Sequence, residues 1–458
     1  MKRIVRTPAL SGLFPLLLGS AVLLGIPAPE AVHARQPGNE GWLIPSLAEL
    51  QVAPPSGGQD DELDKVRALI AKRTTDDVER ILWWNVGGPA YRWNQIAVDE
   101  MLDGFVTTLP ATRNLALLHA AIDDAVAAAW AAKREMKRPR PAQADPSLAA
   151  AMPLPEGSAY PSDHAAAAAA AAGVLAHLFP ARADAFNRMA DEATASRVLA
   201  GVEYPSDVAA GRALGEKTAA LAIARGKADG TDRKWTGSVP QGPGKWQGDN
   251  PIAPLAGTWT PWVLSRGEEF RPAAPPAFDS STVKAALAEL KDYKRTPASN
   301  HRAVYWEVFG GARAFALWNE IARTKLLEYG AAFDAPASAR AFTALNVAYQ
   351  DATIACFDAK YAYWYIRPSQ LDPGLTPLFP PPAHPSYPAA HACLSTAAAT
   401  VLARLFPRDA DRLLALAKQA SEARLWAGIH YRFDIDAGAV IGRQVAEKVL
   451  QRATTVGK

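Results

Sequence analysis

The stretch RLWAGIHYRFD (Arg424–Asp434) repeats the earlier stretch RVLAGVEYPSD (Arg197–Asp207) at an offset of 227 residues. Working outward, the same offset joins Lys133 to Lys360, Arg140 to Arg367, Pro141 to Pro368, Pro161 to Pro388, His164 to His391, Phe179 to Phe406 and Gly215 to Gly442. No gap is needed across that span. Upstream, Trp93-Asn94 corresponds to Trp318-Asn319 at an offset of 225, with Gly87-Gly88 and Gly310-Gly311 just before them. A self-match this dense marks a tandem duplication.

The repeated unit reads as helical. Residues 113–133, 164–178, 341–366 and 391–406 combine strong helix formers with apolar side chains on the 3.6-residue period. Alternating strand patterns are almost absent, and Pro/Gly-rich stretches punctuate the helices at 137–161, 226–281 and 368–388. The expected architecture is all-α: two tandem helical bundles, at 60–225 and 283–455, joined by a strap over 226–282. That strap holds Trp235, Trp246, Trp259 and Trp262. So many indoles mark an ordered segment pressed onto a surface, because disordered linkers are poor in aromatics.

At 458 residues and 49% hydrophobic content the chain has material for large cores. Its 49 basic and 46 acidic residues nearly cancel, which argues against a dedicated nucleic-acid binder. Lys2, Arg3 and Arg6 precede an apolar run from Leu10 to Ile26, and small residues follow up to Ala34. This is the layout of a secretory signal peptide over 1–34, and it predicts a periplasmic or secreted protein with no stable membrane span in the mature chain. The alternative, an uncleaved anchor, is opposed by Pro15 and Gly19 within the run. The two cysteines, Cys356 and Cys393, are too few for a disulfide framework and read as buried small residues.

The second copy gathers charge. Lys360 and Arg367 lie seven residues apart on the expected helix, so both side chains leave one face, and Pro368 ends the element. Arg424 adds a third cation. Three positive charges converging on one place repel unless an anion sits among them. His430 and Asp434 are four apart, so the carboxylate can accept from Nδ1 and leave Nε2 as ligand or nucleophile. Pro205, the counterpart of Arg432, belongs in a first helical turn and places His430 at a helix N-terminus, where anions are favoured. Pro388 similarly opens the helix of His391. His384, His301 and His33 read as surface or satisfied core histidines.

Lys-x6-Arg-Pro, then Pro-x-x-His, then Arg-x5-His-x3-Asp resembles the signature of the type 2 phosphatidic acid phosphatase and vanadium-dependent haloperoxidase superfamily. Phe270-Arg271-Pro272, Pro275-Pro276 and the Trp-rich strap resemble its bacterial two-bundle haloperoxidases. The resemblance implies that His430 is the vanadate ligand or the phosphorylated nucleophile, and that His391 is the general acid/base. It implies a cofactor-binding set of Lys360, Arg367, Ala390, Arg424 and His430, with Asp434 orienting His430. Where the family has Ser-Gly before the histidine, this copy has Ala389-Ala390. A hydroxyl donor is thereby lost, with Ser386 as a candidate replacement. The first copy keeps Lys133, Arg140, Ser162, His164 and Arg197, but Glu203 replaces the ligand histidine and Asp163 replaces glycine. That site is expected to be catalytically dead, with Glu203 paired to Arg140 or Arg197.

Three functions remain open on these residues. The first is a haloperoxidase-like enzyme that takes vanadate as cofactor, and peroxide and halide as substrates. The second is a phosphatase with no cofactor, hydrolysing phosphate esters through a phosphohistidine. The third is an oxyanion-binding or structural protein.

Overall fold

A computed structural model describes residues 40–55 and 59–455 of the chain. The expected signal peptide, including His33, lies outside the described residues. The first unit runs α1 (Gln59–Ile70), α2 (Thr75–Asn85), α3 (Pro89–Asp103), α4 (Thr108–Glu135), α5 (Pro141–Ala144), α6 (Asp163–Leu178), α7 (Ala183–Leu199) and α8 (Pro205–Ala228). The second repeats the order as α9 (Ser281–Asp292), α10 (Pro297–Glu307), α11 (Ala314–Glu328), α12 (Ala335–Tyr363), α13 (Pro368–Leu371), α14 (Ala390–Leu405), α15 (Ala410–Trp426) and α16 (Arg432–Thr455). Among the described residues there is no strand, only one antiparallel bridge between Lys245 and Tyr365. The protein is an all-α pair of tandem bundles.

Small residues set the packing inside each unit. A Cβ on Gly215 of α8 would collide with the Ala166 carbonyl of α6, and one on Gly442 of α16 with the Cys393 carbonyl of α14. Glycine at these matched positions, facing alanine-rich helices, lets each pair close to backbone contact. Gly201 and Gly428 end α7 and α15 in the left-handed region (φ 75° and 74°), where only glycine is unstrained. They turn the chain back toward α8 and α16.

The long helices α4 and α12 pack on each other at the centre. Helix α4 is long and apolar enough to cross a bilayer, but 83% of its most apolar stretch is buried inside the protein. Between the units lies a polar seam. Asn94 Nδ2 donates to Asn319 Oδ1 (2.7 Å) and lies 2.8 Å from His119 Nε2; Asn346 Nδ2 donates to the same Asn319 oxygen (2.9 Å). Residues 119 and 346 are themselves counterparts in the repeat. The strap is tied to α12: Asp351 accepts the backbone N–H groups of Trp262, Val263 and Leu264, and Gln350 accepts the Trp262 indole. Its counterpart Asp124 accepts those of Trp42 and Leu43.

Two expectations change. The helix predicted over 341–366 stops at Tyr363, because Trp364 turns left-handed (φ 51°) and its N–H closes on the Lys360 carbonyl. The Trp364 ring packs near Trp235, Trp246 and Tyr361, so strap contacts accompany the break. Lys360 and Arg367 therefore sit on different elements rather than on one helical face. His430 lies in the turn two residues ahead of the first residue of α16, at the N-terminal end of that helix. The cysteines are buried but not separate thiols: Cys356 and Cys393 form a disulfide, with Cα atoms 6.3 Å apart, tying α12 to α14.

Candidate active site

Four segments converge in the second unit. The end of α12 brings Lys360, the cap of α13 brings Arg367, the start of α14 brings Ala390 and His391, and the end of α15 and the following turn bring Arg424 and His430. Lys360, Arg367, Arg424, His430 and Asp434 are all buried. Lys360 Nζ donates to the carbonyls of Pro385 (2.9 Å), Ser386 (3.1 Å) and Pro388. Arg367 donates to the carbonyls of His384 and Ile429, and its Nη1 lies 3.0 Å from His430 Nε2.

Asp434 is the third residue of α16, and its Oδ2 accepts the Tyr431 N–H (3.1 Å), capping the helix. The same oxygen lies 2.9 Å from His430 Nδ1 and accepts the Ser386 hydroxyl at 2.6 Å. With the proton fixed on Nδ1, Nε2 carries a lone pair turned toward the cations. Ser386 is thus committed to Asp434 and does not replace the hydroxyl missing at Ala389. Nor is the Ala389 N–H spare, since it donates to the Asp434 carbonyl (2.9 Å). Ala390, the first residue of α14, stands where helical N–H groups have no partner within the helix.

Electrostatics follow from burial. Burial, helped by Arg367, Lys360 and Arg424, holds His430 well below the usual histidine range. Burial and then Arg367 depress Lys360, and burial brings Arg367 down to about 9. Burial raises Asp434 to about 6 against the pull of the Ser386 hydroxyl and Lys360. His391 is depressed by burial and Arg424; its Nε2 lies 2.9 Å from the Trp306 carbonyl, which can only accept, so that nitrogen bears the proton. Three buried cations face two carboxylates, Asp434 and the Glu307 that reaches Arg424 Nη2, and Arg424 Nε and Nη1 have no hydrogen-bond partner. An excess of positive charge with unused donors is the property expected of an oxyanion seat. Among the described residues no cluster of acidic, histidine or cysteine side chains suits a metal cation.

Two residues escaped the sequence reading. His384, set aside there as an ordinary histidine, is buried against the cationic cluster: its Nδ1 lies 3.0 Å from Arg367 Nη2, and its ring packs near Phe357. Its counterpart is Gly157, so self-comparison carried no signal; the departure itself was the clue. Glu307, at the end of α10, pairs with Arg424 Nη2 at 2.7 Å. His301 is exposed.

In the first unit the matched residues also converge. Glu203 lies 3.6 Å from Arg197 and 4.0 Å from Arg140, and Lys133 lies 3.9 Å from Asp163. The Ser162 hydroxyl accepts the Ala165 N–H as cap of α6. His164, pushed down to about 3 by burial and Arg197, stays neutral.

Comparison with known proteins fits this arrangement. The model of the PAP2 superfamily matches twice, over residues 115–228 and 341–453. No curated protein matches the chain by sequence. Among solved structures, a bacterial vanadium-dependent iodoperoxidase is similar at 22% identity and a TM-score of 0.61, covering 79% of this chain and 96% of that one. A bacterial vanadium-dependent chloroperoxidase in its apo form is similar at 15% identity and a TM-score of 0.56, covering 76% and 94%. Its holo form gives 14% and 0.55, covering 86% and 98%. With one family match in each bundle and the same two-bundle fold in these structures, the chain belongs to the PAP2 superfamily.

Proposed function

We propose that the second-unit pocket binds vanadate and that the protein is a vanadium-dependent haloperoxidase-like enzyme of the periplasm or cell exterior. The observation that carries this reading is the Nδ1-protonated, neutral His430, whose Nε2 faces three buried cations with unused Arg424 donors. Such a nitrogen suits an oxyanion centre, and the donors suit its oxygens. The similar two-bundle structures, both vanadium-dependent peroxidases, favour peroxidase over phosphatase chemistry.

In this reading His430, Lys360, Arg367 and Arg424 hold the group. When bound, vanadate supplies a Lewis-acidic centre that activates peroxide for halide oxidation. Asp434 keeps the His430 proton on Nδ1. His391, protonated on Nε2 by its bond to the Trp306 carbonyl, offers Nδ1 as the base for a peroxide proton. The buried cations fix charge without reorganisation at the moment of reaction.

The test is a paired assay of the purified chain: halogenation with vanadate, peroxide and bromide or iodide, and hydrolysis of p-nitrophenyl phosphate without vanadate. Vanadate-dependent halogenation that His430→Ala abolishes is the expected result. Hydrolysis without halogenation would assign the pocket to phosphoester chemistry. Vanadate binding with neither activity would leave an oxyanion carrier.

A further inference from the structure

The first-unit pocket has lost the features of an oxyanion site without closing. It is a cavity of about 550 Å³, a size typical of small organic ligands and far larger than an inorganic oxyanion needs. Asp163 lines its charged end, and Glu203, outside the lining, lies 3.6 Å from the lining Arg197. Glu203 takes the position of His430 and Asp163 that of Ala390, and both are buried. A tetrahedral dianion there meets repulsion on two sides.

The cations are not used up by these carboxylates. Arg140 is spent on backbone carbonyls, including those of Pro155 and Val202. Arg197 is different: it is buried and lines the cavity, and its Nε has no hydrogen-bond partner. Its Nη1 makes only long contacts of 3.4 Å to Asn85 and Met152. Its nearest approach to Glu203 is 3.6 Å, an open ion pair rather than a hydrogen-bonded one. Lys133, also on the wall, gives two protons to the Ser158 and Ala159 carbonyls and keeps a third. Asp163, Glu156 and Asp334 also line the cavity and Glu203 stands beside Arg197, so what the site offers a ligand is the unpartnered Arg197 donor rather than a net positive charge. The walls also carry apolar side chains, Trp130, Met152, Leu154 and, contributed by the second unit, Phe333, alongside the carboxylates Glu156 and Asp334.

We propose that this cavity binds a monocarboxylate with an apolar body, its carboxylate on Arg197 and Lys133 and its body against Met152, Leu154 and Phe333. A single delocalised charge suits one unsatisfied guanidinium, and Arg197 offers the donors that a planar carboxylate takes in pairs. The site is separate from the second-unit pocket and does not rest on the activity assigned there.

Calorimetric titration of the full chain with phenylacetate, acetate and inorganic phosphate tests it. Phenylacetate is expected to bind one site, acetate at least about tenfold more weakly, and phosphate not at this site. Arg197→Gln and Leu154→Glu should each weaken phenylacetate by about tenfold or more, whereas Arg424→Gln should leave it unchanged. Leu154 is 38% exposed at the mouth, so its variant reports on binding even if Arg197→Gln fails to fold. The proposal is overturned if phenylacetate gives no heat, if both first-unit variants bind as the parent does, if Arg424→Gln abolishes binding, or if phosphate binds in an Arg197-dependent way.

Discussion

Glu307 and Asn85 occupy matched places. Each follows a tryptophan whose indole bonds to a matched partner, Gln419 for Trp306 and Glu192 for Trp84. Each also faces the third arginine of its unit. In the second unit that residue is a carboxylate, so a tethered anion already satisfies part of Arg424. An incoming oxyanion must compete with it. Glu307→Gln is therefore expected to tighten vanadate or phosphate binding by about tenfold, or ~1.4 kcal/mol, read by titration at constant ionic strength. Asp434→Asn acts in the other direction. An amide cannot hold the Nδ1 proton as a carboxylate does, so turnover should fall on the order of 10²- to 10⁴-fold while the fold stands. Circular dichroism and steady-state rates measured together separate those two effects.

At the level of elements, the strap depends on α12. Burial raises Asp351 to about 6, opposed by the three backbone N–H groups it accepts. Replacing it with alanine leaves those donors buried without a partner. Asp351→Ala is expected to cost about 3 kcal/mol and to speed amide exchange at residues 262–264, measured by urea unfolding and hydrogen exchange. A variant with unchanged exchange would remove Asp351 from the anchoring role. The strap also explains what sequence alone could and could not show. The bundles were legible because Gly215 and Gly442, or Arg140 and Arg367, recur wherever backbone contact or buried charge demands one residue type. The break at Trp364 was not, since local helix propensity carries no trace of indoles more than a hundred residues upstream. Glu307 and His384 were hidden for a related reason: their counterparts are Asn85 and Gly157, and the repeat offset changes just ahead of Gly87.

Across the whole molecule, the central seam makes stability depend on pH. Burial and then Arg323 lower His119 to about 3, so in the folded chain it stays neutral. The unfolded chain takes up that proton as pH falls through about 6.5. The contribution is therefore complete above pH 6.5 and is lost towards pH 3, at up to ~1.4 kcal/mol per pH unit. His119→Asn, which installs the residue found at 346, should flatten this slope. Urea melts at pH 4.5 and 7.5 would show it, and an unchanged slope would contradict it.

The seam is flanked by a reciprocal pair of contacts. The Gly88 N–H donates to the Ala332 carbonyl, and the Thr108 hydroxyl donates to the Gly311 carbonyl. Each glycine pair leads its own unit's third helix, and each is gripped by the other unit. Fused as they are, the two bundles amount to a dimer whose partners are delivered in fixed stoichiometry, at an effective concentration set by the connecting chain rather than by dilution. Once permanently married in this way, one half was free to drift in chemistry while its contacts across the seam still held the other in place.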